Sequence, residues 1–173
     1  MAKKTINITL YMSELIYDVE NKTFLTGRSR KAEAMEAGSE SRSAERTANM
    51  MANEDDEIRN QVLRSLTSAF ASLKTKLSEY LNESGTTANN VLLSDSTNLV
   101  VSLEMPSNFN ETTRVAVATA MHQYMVNMAI GEWFVMTDKA DAGDYLGMAA
   151  ANIEQVHEAI NKRVRPLRPT PAG

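Results

Sequence analysis

The chain has two histidines, and they are the first place to look for chemistry. His157 closes Glu154-Gln155-Val156-His157, a spacing that sets a carboxylate and an imidazole on one face of a helix. Ferritin-like di-iron bundles use such a pair twice, completed by glutamates from two further helices. Here His122 has Thr119 three positions before it, so the second pair is missing, and Glu111 and Glu132 fall near the ends of the helix that carries His122. A metal-dependent bundle enzyme built on Glu154 and His157 is therefore an alternative, behind the reading of both as surface residues at helical spacing. The acidic run Glu54-Asp55-Asp56-Glu57 could hold a cation loosely, but acids there are better explained by the positive end of a helix dipole.

Other catalytic inventories are thin. Without cysteine there is no thiolate nucleophile, no thiolate zinc site and no disulfide framework. No Gly-x-Ser-x-Gly elbow marks a serine nucleophile, and the 7 glycines form neither a dinucleotide nor a phosphate loop. We assign no catalytic residue, no cofactor and no metal, and expect a protein that is not an enzyme.

The elements that would position these groups are mostly helical. Ile6, Ile8 and Leu10 alternate with Asn7 and Thr9 as in a short strand. From Ser13, a plausible cap, Leu15, Ile16, Val19 and Phe24 follow helical spacing, with Gly27 as the expected stop. Residues 28–53 carry Arg28, Arg30 and Lys31 and then mainly Ala, Ser and Glu; with only Met35, Met50 and Met51 to bury, they read as a linker or an arm that orders on a partner. Ile58, Val62, Leu66, Phe70, Leu73, Leu77 and Tyr80-Leu81 define a strongly amphipathic helix ending near Asn82-Glu83-Ser84-Gly85. Val91–Leu93 and Leu99–Leu103 flank a turn-like Ser94–Asn98, as a small hairpin or two extended segments, ended by Pro106.

Two long helices follow. Asn108 or Asn110 caps the first, which runs to about Met136 with Val115, Val117, Met121, Met125 and Met128 on its apolar face. Thr137 or Asp138 caps the second, whose stripe is Ala142, Tyr145, Ala149, Ile153, Val156, Ile160 and Val164. A connection this short makes them an antiparallel hairpin, each arm about 40 Å long. The fold class is thus mainly α: a helical bundle with a long antiparallel C-terminal hairpin, a small β element and an extended C-terminal tail. The divisions are 1–27, an N-terminal strand and short helix; 28–53, the linker; 54–164, the helical core with its β insertion at 91–105; and 165–173, the tail.

Three features suit contact with partners. Lys162, Arg163, Arg165 and Arg168 follow the last acid, Glu158, and Pro166, Pro169 and Pro171 forbid helix and favour an extended segment. Lys162 and Arg163 also suit a helix C-terminus; for Arg165 and Arg168, a solvated terminus and a docking segment are both open. Trp133 and Phe134 either pack the hairpin turn, the favoured reading, or form an interface anchor. The methionines at 121, 125 and 128 fit a core better than an adaptable interface.

Composition sets the outer bounds. The 173 residues suffice for one real core, and a net charge of -4 argues against whole-molecule nucleic-acid binding while allowing a local basic patch. No segment approaches the roughly 20 apolar residues of a membrane span. The opening residues lack an apolar run of the secretory kind, so no signal peptide is expected.

The stretch from Pro106 to Pro169, with Asn108-Phe109-Asn110, Trp133-Phe134 and Arg163-Val164-Arg165-Pro166-Leu167-Arg168-Pro169, resembles small virion proteins of phages of gut Bacteroidetes. The layout as a whole resembles bacteriophage head–tail adaptor (connector) proteins. That resemblance implies a non-enzymatic virion protein, assembled in the bacterial host cytoplasm, that forms a homo-oligomeric ring, often dodecameric. The ring would join portal and tail proteins and let DNA pass through its lumen without sequence recognition. It also implies that the tail from Arg163 to Pro171, with Arg163, Arg165, Pro166, Leu167, Arg168 and Pro169, docks on the portal; Trp133 and Phe134 are kept as further interface candidates on the residue reading above. A small regulatory nucleic-acid-binding module using the basic tail is the other alternative.

Overall fold

The structure, a computed structural model, describes residues 3–36, 48, 50–52, 56–82 and 90–166. The elements run β1 (Lys3–Tyr11), α1 (Met12–Glu36), α2 (Asp56–Lys76), β2 (Asn98–Pro106), a 3-10 turn (Glu111–Thr113), α3 (Arg114–Thr137) and α4 (Lys139–Ile160). Among the described residues the fold is a mainly α-helical bundle of four helices with a two-stranded antiparallel sheet.

Helix α3 is the centre. Its sequence is apolar on nearly every face, and such a helix must be surrounded. It packs against α1, α2, α4 and β1, burying Val117, Met121, Met125, Val126, Ile130 and Phe134 among others. Met121 and Met125 are fully buried and Met128 is partly buried, so the methionine row is core. Val115 is not: it lies on the outer side of the first turn, 76 % exposed. The turn into α4 is made by Asp138, whose carboxylate accepts from the backbone N–H of Ala140 at 3.1 Å. Of the α4 stripe, Ala142, Ala149, Ile153, Val156 and Ile160 are buried, Tyr145 is partly buried, and Val164 lies beyond the helix and is exposed.

Two expectations fail on tertiary grounds. The stop at Gly27 does not occur, and α1 continues to Glu36 through the first part of the expected linker. A mid-helix glycine costs only about 1 kcal/mol, and contacts to α4 flank it on both sides. Thr26 Oγ1 and Tyr145 OH share a hydrogen bond of 2.8 Å, and Arg30 reaches Asp141 through both Nε (3.0 Å) and Nη2. Phe24, placed on the buried face by spacing alone, is exposed. After the undescribed residues the chain is back on the bundle at Met50, which is buried, and Ala52 N–H donates to Thr23 Oγ1 at 3.2 Å.

The second failure is the hairpin around Ser94–Asn98. β2 pairs instead with β1, from Lys3↔Pro106 to Tyr11↔Asn98, and residues 90–97 form no strand. The reason lies in the patterns: β1 buries Ile6, Ile8 and Leu10, β2 buries Leu99, Val101, Leu103 and Met105, and the antiparallel register sets those residues on one face. Helix α2 ends at Lys76, short of the expected Asn82. A turn through Leu77–Tyr80 then carries the chain alongside β2, where Glu104 N–H donates to Tyr80 O at 2.6 Å and Asn82 N–H donates to Ser102 O at 2.9 Å.

Candidate functional site

The C-terminal segment is built into the bundle as far as Val164. Asn110 N–H donates to Lys162 O at 3.2 Å and Val164 N–H donates to Asn108 O at 2.9 Å, making an antiparallel bridge between Phe109 and Arg163. Phe109 is buried beneath it. The Arg163 guanidinium donates to Ile160 O at 2.7 Å and Lys162 O at 3.2 Å, so it serves the exposed carbonyls of the α4 C-terminus. Lys162 sits 2.8 Å from Glu158, and its hydrogen bond holds that carboxyl below its ordinary range. Arg165 and Pro166 are exposed beyond this anchor. Leu167, Arg168 and Pro169 lie outside the described residues.

Trp133 and Phe134 are core residues, in line with the favoured reading of packing at the hairpin turn and against the interface alternative. Phe134 is fully buried and meets Tyr145 edge-on at 5.3 Å between centroids. Trp133 is 8 % exposed, and its indole N–H donates to Met50 O at 2.9 Å. Their places at the end of α3 bring them against α4 and the returning Met50 segment, so the bundle consumes the area a partner would have used.

The histidines are apart. His157 is partly exposed with its ring tilted toward Tyr80, centroids 6.4 Å apart, and Glu154 is exposed. His122 Nε2 lies 2.8 Å from Asp18 Oδ2, joining α3 to α1. Glu111 is taken by Lys4, which holds its carboxyl below the ordinary range, and Glu132 accepts from Ser68 Oγ at 3.3 Å. Among the described residues, no group of three or more His, Asp or Glu side chains is placed to hold a metal ion. Asp56 and Glu57 occupy the first turn of α2, as the dipole reading requires, while residues 53–55 lie outside the described set.

Two hollows lie along the α3–α4 hairpin. One of 580 Å³ lies between α1 and α4 and is lined by Leu25, Thr26, Asn127, Tyr145 and Met148, among others; one of 600 Å³ lies nearer Val115 and Lys162. Gln123 and Gln155 line both. In the first, polar groups are engaged with one another: Lys22 Nζ donates to Gln123 Oε1 at 2.9 Å, and Asn127 Nδ2 donates to Asn152 Oδ1 at 2.8 Å. Burial lowers the Lys22 pKa, and Asp18 partly offsets that shift. Together the two linings also carry the amine of Lys22 and the Glu158–Lys162 ion pair.

Sequence reasoning missed two features. The first is Arg30–Asp141, where a carboxylate only 5 % exposed at the start of α4 meets a guanidinium from the expected linker. The carboxylates of Asp141 and Glu33 push the Arg30 pKa upward. The second is the outer edge of β1, whose only signal was a nine-residue alternating strand with no neighbouring strand in sequence. No protein-family model, no curated protein and no solved structure matches this chain. No helix among the described residues is long and apolar enough to cross a membrane.

Proposed function

We propose that this protein is a non-enzymatic assembly subunit, a ring-forming adaptor of the phage head–tail kind. Its C-terminal segment reaches a portal-like neighbour, tail proteins bind the other side, and DNA passes through the lumen. The observation that carries the reading is the anchoring of the C-terminal segment. Backbone bonds to Asn108 and Asn110 hold it through Val164, and Arg165 and Pro166 then leave the bundle exposed. A segment started in a fixed direction, and stiffened by Pro166 and the prolines after it, loses less entropy on docking than a free terminus does.

The docking set under this reading contracts to Arg165, Pro166, Leu167, Arg168 and Pro169. Arg163 is left as the anchor, and Trp133 and Phe134 as core. The test is light scattering and negative-stain imaging of the full chain, alone and with a portal protein, beside a variant that stops after Val164. Ring particles that bind portal only when residues 165–173 are present are expected. A chain that stays monomeric and never associates with portal overturns the reading.

A further inference from the structure

The two strands differ in what lies beyond them. On β2, the Ser102 carbonyl and the Glu104 N–H face away from β1 and are bonded to Asn82 and Tyr80. Ser102 and Glu104 stand opposite Asn7 and Thr5, so these are the wide, non-bonded pairs of the ladder. The continuation fits, since Met12 N–H donates to Thr97 O one step beyond the Tyr11↔Asn98 pair. The backbone N–H and C=O groups of Lys3, Thr5, Asn7, Thr9 and Tyr11 therefore point outward from β1. Among the described residues they have no backbone partner, and all five residues are exposed. A long open edge of this kind is a template for another strand.

We propose that this edge docks the β1 strand of a second copy, antiparallel about a two-fold axis at Asn7, to make a four-stranded sheet across two chains. Three observations select this occupant. In that register every outward-facing residue meets an outward-facing residue: Asn7 meets Asn7, Thr5 meets Thr9, and Lys3 meets Tyr11. Each is then a bonded pair, and no lysine opposes a lysine. The parity also keeps Ile6 and Ile8 of the two copies side by side on the core face, so the apolar layer continues without a slip. Finally, the charges match. Leu10 and Tyr11 border a 360 Å³ cleft that also holds Glu14, Asp18 and His122. The register sets the partner's Lys4 across from Leu10 and the partner's Lys3 across from Tyr11, at the mouth of that acidic cleft, and symmetry repeats the match. Lys4 is paired with Glu111 and Lys3 with Glu104 in their own chain, and both keep exposed side chains at the edge.

This contact closes on itself and does not rest on the connector reading. The cysteine-free chain makes its test clean. Asn7→Pro removes an outward N–H and fills the edge while leaving the bonds to β2 intact, and Asn7→Lys sets like charges on the axis without touching the backbone. Light scattering on the full chain should give a dimer or an even multiple, and each variant, with unchanged helical circular dichroism, should lower the mass by about twofold or more. Asn7→Cys should cross-link into a covalent dimer on mild oxidation, far faster than a control cysteine at exposed Ser78. Three results would overturn the proposal: a wild-type monomer up to sub-millimolar concentration, folded Asn7 variants of wild-type mass, or cross-linking no faster than at Ser78. A ring that survives in the Asn7 variants would remove this contact while leaving the connector reading standing.

Discussion

At the residue scale, the Arg30–Asp141 pair ties the extension of α1 to the start of α4. Asp141 is buried and Arg30 is 46 % exposed, so the asymmetry decides what breaking the pair does. Removing the guanidinium leaves a buried carboxylate without its best donor, and exposure of Arg30 screens part of the loss. Arg30→Ala is expected to lower stability by about 1–2 kcal/mol in urea denaturation. It should also raise hydrogen exchange in the last two turns of α1. Unchanged exchange there would mean that Thr26–Tyr145 alone holds the helix past Gly27. Exposed pairs act differently. Lys4, Arg59 and Lys162 hold Glu111, Asp95 and Glu158 below the ordinary carboxylate range. A carboxylate with a depressed folded-state pKa contributes its full stability above the unfolded value and loses it as pH falls through the folded one. The thermal midpoint should therefore decline as pH drops below the ordinary carboxylate range. Added salt and Glu111→Gln should each flatten that decline, because these groups are exposed and screened.

At the element scale, the α3–α4 hairpin depends on a close approach at Gly131. A Cβ there would sit 2.6 Å from Leu146 Cδ2 and 2.7 Å from Cγ, whereas Gly143 and Gly147 of α4 face open space. Alanine is favoured over glycine in a helix interior by about 1 kcal/mol at any of the three, so surroundings set the sign. Gly143→Ala and Gly147→Ala are expected to stabilise by about 0.5–1 kcal/mol each. Gly131→Ala is expected to destabilise by about 1 kcal/mol, since displacing Leu146 costs more than propensity returns. Chemical denaturation of the three variants checks this directly, and a stabilised Gly131→Ala would show that the hairpin yields. This contrast was not legible beforehand: three glycines in helical sequence look alike until the neighbouring helix is placed.

At the scale of the whole molecule, the sheet joins the start of the described chain to the segment just before α3, and β1 lies over the core beside α1 and α3. Pairing Lys3 with Pro106 closes a long loop, so the sheet must form late relative to the α3–α4 hairpin, whose contacts are local. Deleting residues 1–11 would uncover Leu99, Val101, Leu103 and Met105 on β2 together with the core beneath β1. Such a chain is expected to keep most of its helical circular dichroism, lose cooperative melting and aggregate. A truncated chain that melts as sharply as the full protein would show that the helices form a self-sufficient bundle.

Periodicity and end signals alone determined the helical class, the long C-terminal hairpin, the buried methionine row and the alternating N-terminal strand, and narrowed the caps to neighbouring pairs from which the structure selects Asp138 for α4 and sets Asn110 on the 3-10 turn before α3. Each of these depends on residues a few positions apart, which the chain fixes by its own geometry. The continuation of α1 past Gly27, the partner of β2, the hydrogen bond that fixes the Trp133 indole and the use of Arg163 as a cap were decided only by tertiary structure. Each depends on a group brought from far along the chain: Asp141 and Tyr145 for α1, β1 for β2, Met50 for Trp133, and Asn108–Asn110 for the C-terminal segment. The same holds for the site candidates. A basic, proline-rich ending is written in composition, but where it is released, and which strand edge is left open, follows from long-range hydrogen bonds that local sequence does not encode.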